Sequence, residues 1–322
     1  MIAQLRICVP ETLSDAVMDC ATGELGIAEV SRQRGASVLP PGDVIHVLLA
    51  RESVERLVEK LHALNVQEQG SISVTMPDLV LSDRADKATA EAPGEGADAV
   101  IWDEVSRQTG EDSRLTWSFL AFLVLATQLV AIGIVTDSTI LIVGAMAVGP
   151  EFGPLAALAV ALVQQQWTLG RRAALALGVG FPVAMLAAAF TAWLSVPLGL
   201  FPADVLDRGS AADFIYHPGP YSLIVAVLAG VAGMLSVISR RSAALTGVFI
   251  SVTTVPAAGF VAVALVLGEF EKAAGSALQL ALNLLGIVAA AVSVLLFYRL
   301  ITKRLPDAAA SRLKRMALRA QR

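Results

Sequence analysis

Ile142-Val143-Gly144-Ala145-Met146-Ala147-Val148-Gly149-Pro150-Glu151-Phe152-Gly153-Pro154-Leu155 is an apolar stretch broken at its centre by two Gly-Pro pairs and a carboxylate. A second stretch carries an interruption at the matching place: Thr246-Gly247-Val248-Phe249-Ile250-Ser251-Val252-Thr253-Thr254-Val255-Pro256-Ala257-Ala258-Gly259. Placing Gly144 on Gly247, an offset of 103 residues, needs no gap. Ala159-Val160-Ala161-Leu162-Val163 then falls letter for letter on Ala262-Val263-Ala264-Leu265-Val266. Paired Gly/Pro interruptions in matching membrane segments point to a binding site between two structural repeats.

The surrounding composition agrees with a membrane. Of 322 residues, 56% are hydrophobic and 16% charged, and the mean hydropathy is +0.68. That apolar share exceeds the usual soluble range, and the excess lies after Trp117. Six apolar segments follow, roughly 117–136, 138–164, 171–196, 221–239, 242–268 and 275–298. Each has about the 20 residues a crossing requires. They form two sets of three, each predicted as helix, broken helix, helix. An odd number of spans per set puts the halves in opposite orientations, the inverted-repeat arrangement of many secondary transporters.

Loop charges orient the spans. Arg171-Arg172, Arg240-Arg241 and Arg299 with Lys303-Arg304 all fall on one side, predicted to be cytoplasmic by the positive-inside rule. The opposite loops carry Asp204, Asp207, Asp213, Glu269 and Glu271 against Arg208 and Lys272. No signal peptide is expected, because Met1-Ile2-Ala3-Gln4-Leu5-Arg6 turns polar at once. The reading is an inner (plasma) membrane protein with both termini cytoplasmic.

The front of the chain reads as soluble. Residues 1–80 alternate in the order β-α-β-β-α-β, with strands near 4–9, 27–30, 44–49 and 71–76 and helices over 11–20 and 52–64. This is the split βαβ, ferredoxin-like arrangement, expected to regulate or to oligomerise the protein. Gly35 with Pro40-Pro41-Gly42 marks a turn region. No aromatic pair marks an RNA-binding sheet, so no nucleic acid is expected. Residues 81–116 are expected to link the domains, as a flexible 83–98 followed by an amphipathic helix. Residues 117–300 form the membrane domain, and 301–322 a basic cytoplasmic tail able to lie on anionic lipid. Cys8 and Cys20 lack metal-ligand spacing.

Glu151 is the most informative side chain. A carboxylate in hydrocarbon costs several kcal/mol unless paired, hydrated or protonated. Two readings compete: a proton, cation or substrate site, and a cap on the helix restarting at Pro154. Gly149, Pro150, Gly153 and Pro154 free backbone groups around it. In the second repeat Ser251, Thr253, Thr254 and Pro256 occupy the same level, and their hydroxyls either ligate an ion or re-satisfy carbonyls freed by Pro256. Asn283 and Gln279 in the last span, and Gln128 in the first, are bundle-facing candidates whose alternative is helix–helix bonding. The predicted site is therefore Glu151, Gly149, Pro150, Gly153, Pro154, Ser251, Thr253, Thr254, Pro256, Asn283 and Gln128. No His-Glu-x-x-His, Gly-x-Ser-x-Gly or P-loop occurs in the membrane part. No enzymatic activity, metal or cofactor is expected; the expected partners are lipids, a small ion or solute, and further copies of the chain.

Val143-Gly144-Ala145-Met146 with Gly149-Pro150 and Gly153-Pro154 resembles the first signature of the bacterial membrane family catalogued as domain of unknown function 389. Gly247-Val248, Ile250-Ser251-Val252, Val255-Pro256 and Asn283 resemble its second. The resemblance implies a membrane location and no particular substrate. Many relatives are apolar where this chain has Glu151-Phe152.

The charge bias makes a prediction about sidedness. With Cys8 and Cys20 replaced by serine, Arg172→Cys is expected to be shielded from an impermeant maleimide added to intact cells. Asp207→Cys is expected to be labelled, and the opposite pattern would reverse the orientation.

Overall fold

The computed structural model describes the chain apart from residue 78 and segments 93–101, 201–205, 207–218, 240–242 and 321–322; for 243–253 and 301–320 it describes the backbone alone. The chain divides into two compact units, Met1–Trp102 with Leu300–Arg322, and Asp103–Arg299.

In the first unit the elements are β1 (Ile2–Val9), α1 (Glu11–Thr22), β2 (Ile27–Val38), β3 (Pro41–Ala50), α2 (Arg51–Ala63), α3 (Val66–Gln69), β4 (Ser71–Thr75) and α4 (Asp83–Glu91). The sheet order is β2-β3-β1-β4, with every neighbouring pair antiparallel. Period-two alternation turns Leu5, Ile7, Ile45, Val47 and Leu49 to one face. There they bury against Val17 and Ala21 of α1 and Val54, Leu57 and Leu61 of α2.

Two expectations need correction here. Residues Asp83–Glu91 are helical, not flexible: Ser82 caps them by accepting from the Ala85 N–H at 3.3 Å. Ala85 and Ala88 pack with Ala28, Ile2 and Leu48 on the face opposite α1 and α2. Small, spaced alanines gave a weak helical signal that the sheet completes. Gly35 also lies inside β2, at an irregularity between Gln33 and Ser37, with φ +61°.

That glycine anchors a buried carboxylate. Asp43 accepts from the Gly35 N–H at 2.8 Å, Ser14 Oγ at 2.7 Å and Arg32 Nε at 2.8 Å, while Arg32 Nη1 reaches Asp15 at 2.6 Å. The Gly35 N–H, then the Ser14 hydroxyl and the Arg32 guanidinium, outweigh burial and hold the Asp43 carboxyl at about 2.

The second unit is helical: α5 (Trp102–Asp112, its first residue in the first unit), α6 (Trp117–Val135), α7 (Thr139–Val148), α8 (Phe152–Gln164), α9 (Trp167–Ser195), α10 (Pro220–Ser239), α11 (Ala243–Leu267) and α12 (Phe270–Ala320, leaving the unit after Arg299). Among the described residues, α6, α9, α10 and Phe270–Leu300 are each long and apolar enough to cross a membrane. α7 and α8, bent by 50° at their break, are long and apolar enough only when taken together, as one broken span or a re-entrant loop. In α11 the described side chains, Thr254–Leu267, form a shorter apolar helix. Trp117, Trp167, Tyr221 and Trp193 stand exposed near helix ends, where interfacial aromatics belong. Thr116 and Ser138 cap α6 and α7 by accepting from the N–H groups of Phe119 and Leu141.

The two interruptions behave differently. The first breaks the helix: Gly149 is extended, as the residue before proline prefers. An uninterrupted helix would also carry Pro150 and Pro154 four residues apart, each costing about 3 kcal/mol. The second, predicted as a break, is continuous: α11 runs through Pro256. One proline removes one hydrogen bond, which a helix packed on several neighbours tolerates.

Local geometry recurs at the sequence offset. Trp117 and Pro220 start α6 and α10 at that offset, as Trp167 and Phe270 start α9 and α12, and Gln164 and Leu267 end α8 and α11. Gln165 and Gly268 are both left-handed. The Gln166 N–H donates to Ala161 O at 3.0 Å, and the Glu269 N–H to Ala264 O at 2.9 Å. Helix pairing recurs as well. A Cβ on Gly180 would lie 2.7 Å from the Phe119 ring, and their counterparts Asn283 and Ser222 are hydrogen-bonded at 3.1 Å. Thr127 Oγ1 donates to Ala184 O at 3.4 Å, and a Cβ on Gly230 would lie 2.5 Å from Ile287 O. Along each interface residue numbers rise together, so α6 runs parallel to α9 and α10 parallel to α12.

The Asp43 cluster yields a pH prediction. Its carboxyl is depressed in the fold, so its stabilisation is present above the ordinary aspartate value of about 4 and is lost as pH falls toward 2. Thermal melts of the full chain are expected to lose stability across that window, and Asp43→Asn to flatten the dependence. An unchanged profile in the variant would show that Asp43 is not the responsible group.

Candidate functional site

The break between α7 and α8 delivers Glu151 to the interior. Glu151 occupies the position before α8, where a capping carboxylate would sit, yet its side chain makes no cap hydrogen bond. It accepts instead, at Oε1, from Thr254 Oγ1 of α11 at 2.7 Å. Both side chains are fully buried. Glu151 and Thr254 are themselves 103 residues apart, so they hold equivalent places in the two aligned stretches. The bond joins two separate helices.

Of the other predicted residues, Gly149, Pro150, Gly153, Pro154 and Pro256 adjoin this contact along the chain, whereas Gln128 and Asn283 bond to other helices. Pro154 lies buried in the first turn of α8, where a missing N–H costs nothing. Gly149 and Pro150 are half-buried at the break, and Pro256 is buried two residues beyond Thr254. The side chains of Ser251 and Thr253 lie outside the described residues. Gln128 is engaged with α9: its Nε2 donates to Ala187 O at 3.1 Å and its Oε1 accepts from Thr191 Oγ1 at 2.7 Å. Asn283 Oδ1 accepts from Ser222 Oγ at 3.1 Å, and Gln279 Nε2 donates to the same hydroxyl at 3.0 Å.

Several participants escaped the sequence reading. Ser276 donates to Ala257 O at 3.0 Å, fastening α12 to α11 one residue after Pro256. Its signal was legible: Ser276, Gln279 and Asn283 are buried at helical spacing on α12. Arg299 Nη1 donates to Val163 O at 2.9 Å and so caps the C-terminal end of α8. Asp112, the last residue of α5, abuts the break: a Cβ on Gly153 would lie 2.7 Å from Asp112 Cβ and 2.8 Å from Asp112 O. Desolvation there, reinforced by Glu111, holds the Asp112 carboxyl above the usual carboxylate range. Ser106 of α5 donates to Gln164 Oε1 at 2.7 Å, so α5 touches both ends of α8.

Comparison with known proteins follows the helical core. The profile of the family described as Domain of unknown function (DUF389) matches residues 146–289, from within α7 to within α12. This part of the chain is a domain of that family. An uncharacterized protein of Methanocaldococcus jannaschii is similar at 22% identity over 279 residues, covering 85% of this chain and 83% of the relative. That relative is archaeal, so the similarity reaches beyond the bacteria to which the signatures pointed. No solved structure matches the chain.

The close approach at Gly153 can be tested directly. Gly153→Val drives a side chain into the backbone of Asp112 and is expected to cost about 1–3 kcal/mol, seen as a lower melting temperature of the detergent-purified protein. Gly144→Val, whose Cβ meets nothing within 4 Å, is expected to leave it near wild type. Equal melting temperatures for the two variants would show that the α5 contact contributes nothing.

Proposed function

We propose that this protein is a secondary transporter of a small ion or solute, made of two inverted three-helix repeats in the inner (plasma) membrane. The observation that carries the reading is the Glu151–Thr254 contact, where equivalent residues of the two repeats meet. In a twofold arrangement, equivalent positions touch only at the axis, where inverted-repeat transporters place their substrate.

Helix lengths and directions support six spans. At 1.5 Å per residue α7 and α8, bent by 50°, span about 31 Å end to end and α11 about 37 Å, enough for a hydrocarbon core of about 30 Å. α7 follows α6 through a tight turn and runs back along it, Ile142 against Gly133. On α11, Gly259 packs on Val130 while Thr254 reaches Glu151, deeper along α7. Both contacts are met when α11 runs parallel to α6 and opposite to α7. The second helix of each half then crosses in the opposite sense, as inversion requires.

The sheet order β2-β3-β1-β4 supports reading the first unit as a ferredoxin-like domain, to which we assign a regulatory or oligomerising role on the cytoplasmic side. Copies of the chain, lipids and the transported species are the partners proposed. Neither catalysis nor nucleic-acid binding forms part of this reading.

The test is electrical measurement on proteoliposomes challenged with a panel of inorganic ions and amino acids. Saturable transient currents are expected from the wild type, falling at least about tenfold, or about 1.4 kcal/mol, in Glu151→Gln. Unsaturating, voltage-linear single-channel current would establish a channel instead. Silence across the panel would favour a receptor or scaffold.

A further inference from the structure

We propose that two copies of this chain pair side by side in the membrane through the outer face of α6 and α9, with Gln128 of each copy bonded to Gln128 of the other. The inference deepens the self-association proposed above by naming its face. It rests on α6 and α9 crossing the membrane, and it stands apart from what is transported.

Gln128 belongs to an exposed stripe. Phe122, Leu125 and Ile132 recur at helical spacing on α6 and stand exposed, and the half-buried Gln128 falls among them. Its partner on α9, Thr191, is exposed beside Phe190 and Leu194. Gln128 comes eleven residues after Trp117, roughly 16 Å along a helix of about 28 Å. The amide therefore sits in the middle turns of an apolar span, where no water is at hand.

A carboxamide offers two N–H donors and an oxygen with two lone pairs. Nε2 gives one N–H to Ala187 O, and Oε1 uses one lone pair on the Thr191 hydroxyl. Among the described residues these are the bonds Gln128 makes. One N–H and one lone pair remain at the exposed surface of the bundle. Polar groups inside a membrane turn toward protein, and a neighbouring helix is what satisfies them.

The matching slot of the second half shows that the scaffold does not call for this amide. The offset of 103 carries Gln128 to Val231 and Thr191 to Val294, both half-buried. α10 and α12 thus pair through valines where α6 and α9 carry a polar pair. Apolar side chains fill the same volume at that place, so the first half presents a surface that the second half lacks.

A second copy of the chain meets the demand that remains. What Gln128 has left, one donor and one acceptor, is complementary to itself. Copies in one membrane share their orientation, so a twofold axis along the membrane normal brings equal depths together. Gln128 then meets Gln128, each amide donating one N–H and accepting one. Phe122, Leu125 and Ile132 of both copies surround the pair and keep it from lipid.

The experiment is cysteine cross-linking in membranes of expressing cells, on the full chain with Cys8 and Cys20 replaced by serine. Leu125→Cys, one turn from Gln128, is expected to give a disulfide-linked species of twice the chain mass on oxidation with copper phenanthroline. Leu228→Cys, its similarly exposed counterpart at the offset, is expected to stay unlinked. Gln128→Val installs the residue that the second half carries. It is expected to keep the wild-type melting temperature and to raise the dimer dissociation constant in lipid vesicles about tenfold, read by energy transfer between labelled copies. The proposal is overturned by no linking through Leu125→Cys, by equal linking at the two positions, by a linked species of any other mass, or by an unchanged dissociation constant in Gln128→Val. Should Gln128→Val fail to purify as a monodisperse species, cross-linking decides. Linking through Leu228→Cys alone sinks this face and leaves self-association standing. Linking through Leu125→Cys alone, in a protein that carries no current, supports this interface and sinks the transporter reading.

Discussion

A carboxylate and a broken backbone inside an apolar helical bundle must both be satisfied from within, and in this protein one hydrogen bond answers for much of that demand. Pro150 and Pro154 end α7 and restart the chain as α8 with a 50° bend. Glu151 is left at the hinge, fully buried. The Thr254 hydroxyl of α11 meets it. Non-helical backbone at membrane depth persists only where protein or a hydrated cavity covers it. Here α11 covers it from one side, and Asp112 at the end of α5 from another.

The two halves share a frame and differ in chemistry. Helix starts, left-handed caps and cap hydrogen bonds recur at an offset of 103 residues. The side chains in equivalent slots do not. Phe119 lies over Gly180 in the first half, whereas the second half places a hydroxyl on an amide, Ser222 on Asn283. The first half holds the carboxylate and the break; the second holds the hydroxyl and a straight helix. Backbone packing tolerates such exchange because each slot needs complementary volume, met equally by a ring on a glycine or by two mid-sized polar groups.

The soluble domain was legible because its signals are local. Alternation in Leu5-Arg6-Ile7 and helical spacing in Val54, Leu57, Val58 and Leu61 depend on neighbours a few residues away, and the elements form where these patterns lie. The helix at Asp83–Glu91 was missed because alanine, aspartate and glutamate read equally as linker. Only the sheet face offered by Ala28 and Leu48 makes Ala85 and Ala88 a packing surface. The polar stripe of Ser276, Gln279 and Asn283 was partly visible by spacing, but the carbonyl that Ser276 serves belongs to another helix.

From the sequence alone came the apolar segments, the offset that pairs them, and Glu151 as the group whose burial demands an explanation. Proline and glycine also announced that both second segments were under backbone stress. Whether that stress breaks a helix was a tertiary matter: two prolines on successive turns part α7 from α8, while one proline in α11 is absorbed by packing on both sides. That Thr254 meets Glu151 was equally beyond reach of local pattern. Ser251, Thr253 and Thr254 offered the same hydroxyl chemistry, and the close approach of α11 to the break brings Thr254 to 2.7 Å from Glu151. A hydrogen bond has a range of about one atom diameter, so a contact between residues 103 apart rests with the three-dimensional register of the helices.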